Sequence, residues 1–207
     1  MNQTPAEPGR LVGAPAWLAW LFIIAGAAGL LGAFELSVER VNLLLDPDSS
    51  LACDVSPFIT CSGAMESAQG SAFGFPNPFI GLMGFVAPIA VGVSLLAGAK
   101  FRRWFWAAFT IGVLGALGFV LWLGWNSIFI LGIICPWCFI VWIATYTLVF
   151  PLLAHAIGEG VFGGGDRIRK RFRALRPYAW VASFVLLAVV IVTIALRLPD
   201  LIRLMFI

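Results

Sequence analysis

Long uninterrupted apolar runs organise this chain, in place of the alternation of buried and exposed faces seen in a soluble globule. No charged residue occurs from Leu11 to Phe34, from Ser67 to Ala99, or from Trp104 to Gly158. A helix crosses about 30 Å of hydrocarbon with about 20 apolar residues. Leu11–Phe34 therefore predicts a first span and Phe79–Ala99 a second. Trp104–Gly158 is too long for one crossing, and its polar break Gly124-Trp125-Asn126-Ser127 divides it into a third and a fourth. Pro177–Leu196 is the fifth. The first run lacks the basic flank and short core of a cleaved signal peptide. Uniform hydropathy around each segment fits burial in lipid or in a bundle. The fold class is thus an all-α membrane protein: a four-helix transmembrane bundle plus a fifth transmembrane helix.

Composition agrees. Of 207 residues, 61% are hydrophobic and 11% charged, against about 45–50% and about 25% in soluble domains. This excludes a cytosolic enzyme and a nucleic-acid module. The charges that remain orient the spans. Lys100, Arg102 and Arg103 lie between spans two and three. Arg167, Arg169, Lys170, Arg171, Arg173 and Arg176 lie between spans four and five. These loops, and the N-terminus with Arg10, are expected on the cytoplasmic side. The loop from about Glu35 to Pro78 is then outside, with Glu35, Glu39, Asp46, Asp48, Asp54 and Glu66 against Arg40 alone. Trp17, Trp20, Trp104, Trp106 and Trp180 would mark the inner interface, and Trp122 and Trp125 the outer one. The basic cluster is read as a topological charge with no nucleic-acid partner. The expected organisation is a four-span core over 1–155 with its outer loop at about 35–78. A basic linker follows over 156–176, with Gly163-Gly164-Gly165 as a flexible joint. The fifth span and a short outer tail occupy 177–207.

All four cysteines fall on the outer side, where disulfides persist. Cys53 and Cys61 lie in the loop, and Cys135 and Cys138 form Cys-Pro-Trp-Cys at the start of span four. They allow three pairings, of which Cys53–Cys61 with Cys135–Cys138 needs least chain rearrangement. Haem attachment would want His where Phe139 stands. A zinc site would commonly use His, and the single His155 is at the other membrane face, so no metal is expected. Pro136 suits the first helical position and puts Cys135 at the N-cap. A helix N-terminus stabilises a thiolate, which makes this pair competent for exchange. Cys61 to Gly70 predicts a short helix, with Ser62 as N-cap and Gly70 as its stop, lying over the bundle mouth as a lid. Ser67 and Asn77 can be read there as turn and cap residues or as site residues.

Cys53-Asp54-Val55, Cys61-Ser62, a Ser six positions later, an Asn before span two and C-x-x-C opening span four together resemble the vitamin K epoxide reductase family over roughly Leu11–Leu153. The resemblance implies a four-helix core around a quinone, capped by the first outer loop. It implies that Cys135 and Cys138 are the active pair, that Cys53 and Cys61 shuttle electrons from a partner through an exposed loop, and that Ser67, Asn77 and Trp142 border the quinone. Trp142 departs from the vertebrate members, which carry Tyr there. Some bacterial members continue into a fused thioredoxin-like domain; here a separate thioredoxin-fold thiol oxidase of the DsbA type is expected as partner. Arg outnumbers Lys eleven to two, and a bacterial cytoplasmic membrane with menaquinone or ubiquinone as substrate is the expectation. The other readings are a vitamin K epoxide reductase of the endoplasmic reticulum, a non-catalytic disulfide-stapled scaffold and a metal-binding membrane protein.

Overall fold

The computed structural model describes residues 11–46 and 51–199. Arg10, Asp48 and the expected outer tail over 200–207 lie outside them. The architecture is an all-α membrane protein with five helices long and apolar enough to span. In order they run as α1 (Ala16–Leu45), a lid of α2 (Ser62–Glu66) followed by a 3-10 turn (Ala68–Ser71), α3 (Pro78–Leu96), α4 (Arg103–Trp125) with a π turn (Asn126–Leu131), α5 (Pro136–Gly158), the short α6 (Asp166–Leu175) and α7 (Ala179–Arg197).

The first run does not begin as a helix at Leu11. Leu11–Val12 form a strand, β1, paired antiparallel with β2 (Phe101–Arg102), so the N-terminal segment straps the turn before α4. Nor does the helix stop at Phe34. Charge ends a membrane crossing, not a helix, and α1 continues through Glu35, Glu39 and Arg40 to Leu45. Its buried face continues too: Leu36 and Leu43 pack around the cysteines. The expected division at Gly124–Ser127 also shifts. The α-helical pattern ends at Trp125, but Asn126 Nδ2 donates back to Trp122 O at 2.7 Å and the chain continues as the π turn to Leu131. The stop is Gly132, at φ 67, a left-handed backbone that favours glycine.

α1 packs closely along α3, sits beside α5, and α5 in turn meets α4, α6 and α7. The α1–α3 approach depends on small residues. A Cβ at Gly92 would come within 2.6 Å of Ala19 O, and one at Gly29 within 2.3 Å of the Phe85 ring. α3 and α4 stand apart, and a cavity occupies the space between them.

The basic end of the bundle is more structured than a linker. Arg103 donates to Gly160 O and, at 3.2 Å, to Val161 O. Arg173 Nε donates to Gly158 O at 3.0 Å, and Arg176 pairs with Glu159 at 2.5 Å. Thus α6 docks on the C-terminus of α5, and its cations satisfy carbonyls that a helix end leaves without partners. Burial pushes the Glu159 carboxyl up, but the Arg176 hydrogen bond and the charges of Arg176 and Arg173 outweigh it and hold the group below its ordinary value. Trp106, expected at the lipid interface, is fully buried. Its Nε1 donates to Val12 O at 3.0 Å and its ring packs on His155 at 4.6 Å.

Candidate active site

The four cysteines converge at the end of the bundle opposite the arginine cluster. Pro136 opens α5 and Cys135 is its N-cap, as the spacing predicted. The N-cap geometry turns the backbone so that Cys138 N–H donates to Cys135 Sγ at 3.3 Å. Cys53 and Cys61 are joined by a disulfide, and Cys135 and Cys138 are free thiols. Cys61 Sγ lies 3.6 Å from Cys135 Sγ. The loop therefore brings one sulfur of its pair against one sulfur of the C-x-x-C.

Backbone pairing produces that contact. Thr60 N donates to Ile134 O at 3.1 Å, and Ile134 N donates to Phe58 O at 2.8 Å. These bonds form a parallel bridge between Ile59 and Ile134, laying the residues before Cys61 beside those before Cys135. The segment that carries Ile134 is itself tied down. Ser127 Oγ donates to Ile133 O, and Ile133 N donates to Ser127 O at 3.1 Å. Ser127, read from sequence as part of a break, is thus a fastener for the active-site approach.

Helix α2 begins at Ser62, but Cys61 is its cap residue and it ends at Glu66, four residues short of Gly70. Ser67 divides it from the 3-10 turn: its Oγ donates to Ala64 O at 2.7 Å and accepts from Gly70 N at 3.1 Å. Asn77 closes the lid from the other side. Its Nδ2 donates to Gln69 O at 2.6 Å, and its Oδ1 accepts from Ala72 N at 3.1 Å. Asp54 Oδ1 accepts from Thr60 Oγ1, Cys61 N and Ser62 N at 2.8, 2.7 and 3.1 Å. Partial burial raises the Asp54 carboxyl, but these hydrogen bonds outweigh it and keep it below the ordinary value of 3.8. It is a carboxylate at neutral pH.

A cavity of about 650 Å³ lies below the lid. Ser67 and Asn77 border it from above, Gly84 and Gly112 from α3 and α4, and Cys138 and Trp142 from α5. Cys138 reaches the cavity wall; Cys135, only 2% exposed, is instead packed with Cys61, Cys53 and Met65. Cys138 packs against that same cluster as well, so the two thiols share it and only Cys138 also reaches the cavity. The walls are almost wholly apolar, and the volume is in the range of small-molecule sites. Gln69, Asn126 and Ser127 add polar groups to the wall that the sequence did not mark. Among the described residues no cluster of three or more His, Cys, Asp or Glu side chains is placed to hold a metal.

The loop pair is not at the surface. Cys53 is 5% and Cys61 0% exposed, because α1 extends past the expected span and its Leu36 and Leu43 cover them. The expectation of an exposed loop pair is corrected accordingly.

Residues 20–153 match the vitamin K epoxide reductase family. That stretch runs from the first turns of α1 to the last of α5 and includes the lid, all four cysteines and the whole cavity wall. The chain therefore belongs to the vitamin K epoxide reductase family.

Proposed function

We propose that the protein is a quinone-linked thiol–disulfide oxidoreductase that supports disulfide formation in exported proteins of a bacterium. The observation that carries this reading is the ordered line of sulfurs: Cys53 bonded to Cys61, Cys61 at 3.6 Å from Cys135, and Cys138 at the cavity. Thiol–disulfide exchange needs this kind of sulfur-to-sulfur approach. A separate thioredoxin-fold oxidase of the DsbA type reduces Cys53–Cys61 and becomes oxidised. Cys61 thiolate then attacks Cys135 of an oxidised C-x-x-C pair. The Cys61–Cys135 bond forms, Cys135–Cys138 breaks, and Cys138 leaves as thiolate and takes a proton. Cys53 thiolate attacks Cys61 and releases Cys135, closing the loop disulfide. That product state, loop disulfide closed and C-x-x-C reduced, has the cysteine connectivity found here.

The reduced pair passes two electrons to a menaquinone or ubiquinone, which takes up two protons as the Cys135–Cys138 disulfide reforms. The apolar cavity fits a quinone ring, and the gap between α3 and α4 gives it lateral access from the lipid. An amide nitrogen carries two protons. Gln69 O takes one from Asn77, leaving the other for a quinone carbonyl on which charge develops. Ser67 and Trp142 complete the surroundings of the ring. The basic end faces the cytoplasm and the lid faces outward, so the four thiols meet exported substrates. Because both loop cysteines are buried, a partner must displace the loop to reach Cys53.

The test is the order of electron flow in the purified full chain. Cys61→Ala should block reduction by a thioredoxin-fold donor yet leave quinone reduction driven by dithiothreitol. Cys138→Ala should abolish both. Loss of the dithiothreitol-driven reaction in Cys61→Ala would show that the two pairs do not act in series. Metal analysis of the same sample separates this reading from a metal-binding one.

A further inference from the structure

Asp54 follows Cys53 directly, yet the three hydrogen bonds that its carboxylate Oδ1 accepts all come from the turn that carries Cys61: Thr60 Oγ1, Cys61 N and Ser62 N. The opposite side of that turn is the backbone bridge to Ile134. The turn is thus gripped from two sides, by a carboxylate on one and by the approach to Cys135 on the other. We propose that Asp54 is a positioning residue for sulfur exchange, holding Cys61 in line with Cys135 when the loop disulfide is open.

The need for such a residue follows from the chemistry. While Cys53–Cys61 is closed, the disulfide itself restrains Cys61. The exchange step begins with that bond broken, so the restraint disappears when alignment matters most. Sulfurs 3.6 Å apart must close to a bond of about 2.05 Å. A near-attack geometry has to be held for this, and displacement by about 1 Å costs up to about 100-fold in rate. The hydrogen bonds that Asp54 accepts do not depend on the redox state of the loop. They are charge-assisted, hence about twice as strong as neutral ones, and Asp54 stays ionised because they outweigh its partial burial. Thr60 extends the grip: its hydroxyl donates to Asp54 and accepts from Gly63 N at 3.3 Å. The inference rests on the proposal that the two cysteine pairs act in series.

The experiment uses the purified full chain with Cys53→Ser and Cys138→Ser, which leaves Cys61 and Cys135 as the only thiols. Diamide takes up their two electrons and two protons, and the rate of Cys61–Cys135 bond formation is read on non-reducing gels. Adding Asp54→Ala should slow it roughly 10- to 100-fold. Asp54→Asn, which keeps an oxygen acceptor without charge, should fall between, and Thr60→Val should slow it by about half as much on a logarithmic scale. In the chain with all four cysteines, Asp54→Ala should leave dithiothreitol-driven quinone reduction unchanged, since that reaction bypasses the loop. An unchanged cross-linking rate in Asp54→Ala overturns the positioning role and leaves the series reading intact. Equal losses in cross-linking and in dithiothreitol-driven turnover overturn it as well, because Asp54 would then only support the fold. Absence of a Cys61–Cys135 bond even with Asp54 present overturns the series reading itself.

Discussion

Replacing Asn77 by Ala separates the two roles open to that side chain. The amide makes two hydrogen bonds to lid backbone, at 2.6 Å to Gln69 O and 3.1 Å from Ala72 N. Each is worth about 0.5–1.5 kcal/mol net, so Asn77→Ala should loosen the lid by about 1–3 kcal/mol. A lid that must be ordered over the quinone transmits this loss to binding as about 5- to 150-fold. A donor to the quinone carbonyl would act instead on the rate of reduction, since its bond strengthens as charge develops on that oxygen. The assay is quinone-dependent turnover per folded molecule across quinone concentrations, with melting temperature recorded on the same sample. A raised KM with kcat unchanged reports lid order alone. A lowered kcat reports the donor. Asn77→Asp sharpens the distinction, because it keeps the acceptor for Ala72 N–H and loses the donor. If turnover is unchanged while the melting temperature falls, Asn77 is a turn residue between Pro76 and Pro78 and leaves the proposed quinone site.

Three further outcomes follow from other parts of the molecule. A membrane-impermeant thiol reagent applied to intact cells should label the Val55→Cys variant, whose position in the same loop is 71% exposed, above the parent's level without permeabilisation, and labelling only after permeabilisation would reverse the proposed orientation. Gly112 borders the cavity and a Cβ there meets nothing within 4 Å, so Gly112→Leu should raise the KM for quinone several-fold while the melting temperature stays within about 2 °C of the parent; an unchanged KM would place the ring elsewhere. Glu159 is depressed below its ordinary 4.5 by Arg176 and Arg173, so its contribution to stability is complete above about pH 5 and is lost as pH falls through the folded value. The melting temperature of Glu159→Gln should therefore lie below the parent's at pH 7, and the gap should narrow as the pH falls through the folded value of Glu159; a gap that does not shrink on acidification would contradict the ion-pair account.

The spans were legible because lipid imposes one requirement on about 20 consecutive residues, a signal that needs no tertiary information. Helix ends were not, and each miss has a local cause. Glu35, Glu39 and Arg40 look like loop residues, but a helix leaving hydrocarbon keeps its backbone hydrogen bonds and loses only its need to be apolar. Asn126 and Ser127 look like a break, but Asn126 bonds Trp122 O one turn back and the chain stays helical, as a π turn, to Leu131. The Cys135 cap was legible because Pro136 restricts its neighbours through covalent geometry alone. Asp54 was counted as loop charge. Its hydrogen-bond donors Thr60, Cys61 and Ser62 meet it only when the chain doubles back, and no periodicity marks such a contact.

The same limit explains why the cysteine motif could be recognised but its division of labour could not. In C-x-x-C the two sulfurs are three residues apart, about 300° around a helix, so an ideal helix would leave them as near neighbours on one face. Here Cys135 stands outside the helix as its cap, with extended φ and ψ of −98° and 119°, and only Cys138 has helical geometry. One residue of extended backbone therefore buries Cys135 within the loop-pair cluster and leaves Cys138, at the edge of that cluster, to line the cavity. Cys135 packs with the loop pair, and Cys138 lies at the cavity. In the proposed reaction an electron pair arriving at Cys135 and leaving from Cys138 would cross the boundary between lid and bundle through that pair itself, and neither reactant would have to enter the other's compartment. Moving Pro136 would remove that division. Pro136→Ala takes away the fixed φ at the first helical position and lets the helix fray or extend across Cys135. It should slow Cys61–Cys135 exchange more than it slows the dithiothreitol-driven reduction of quinone, measured on one preparation; equal losses in both would mean that the cap does not set the direction of Cys135.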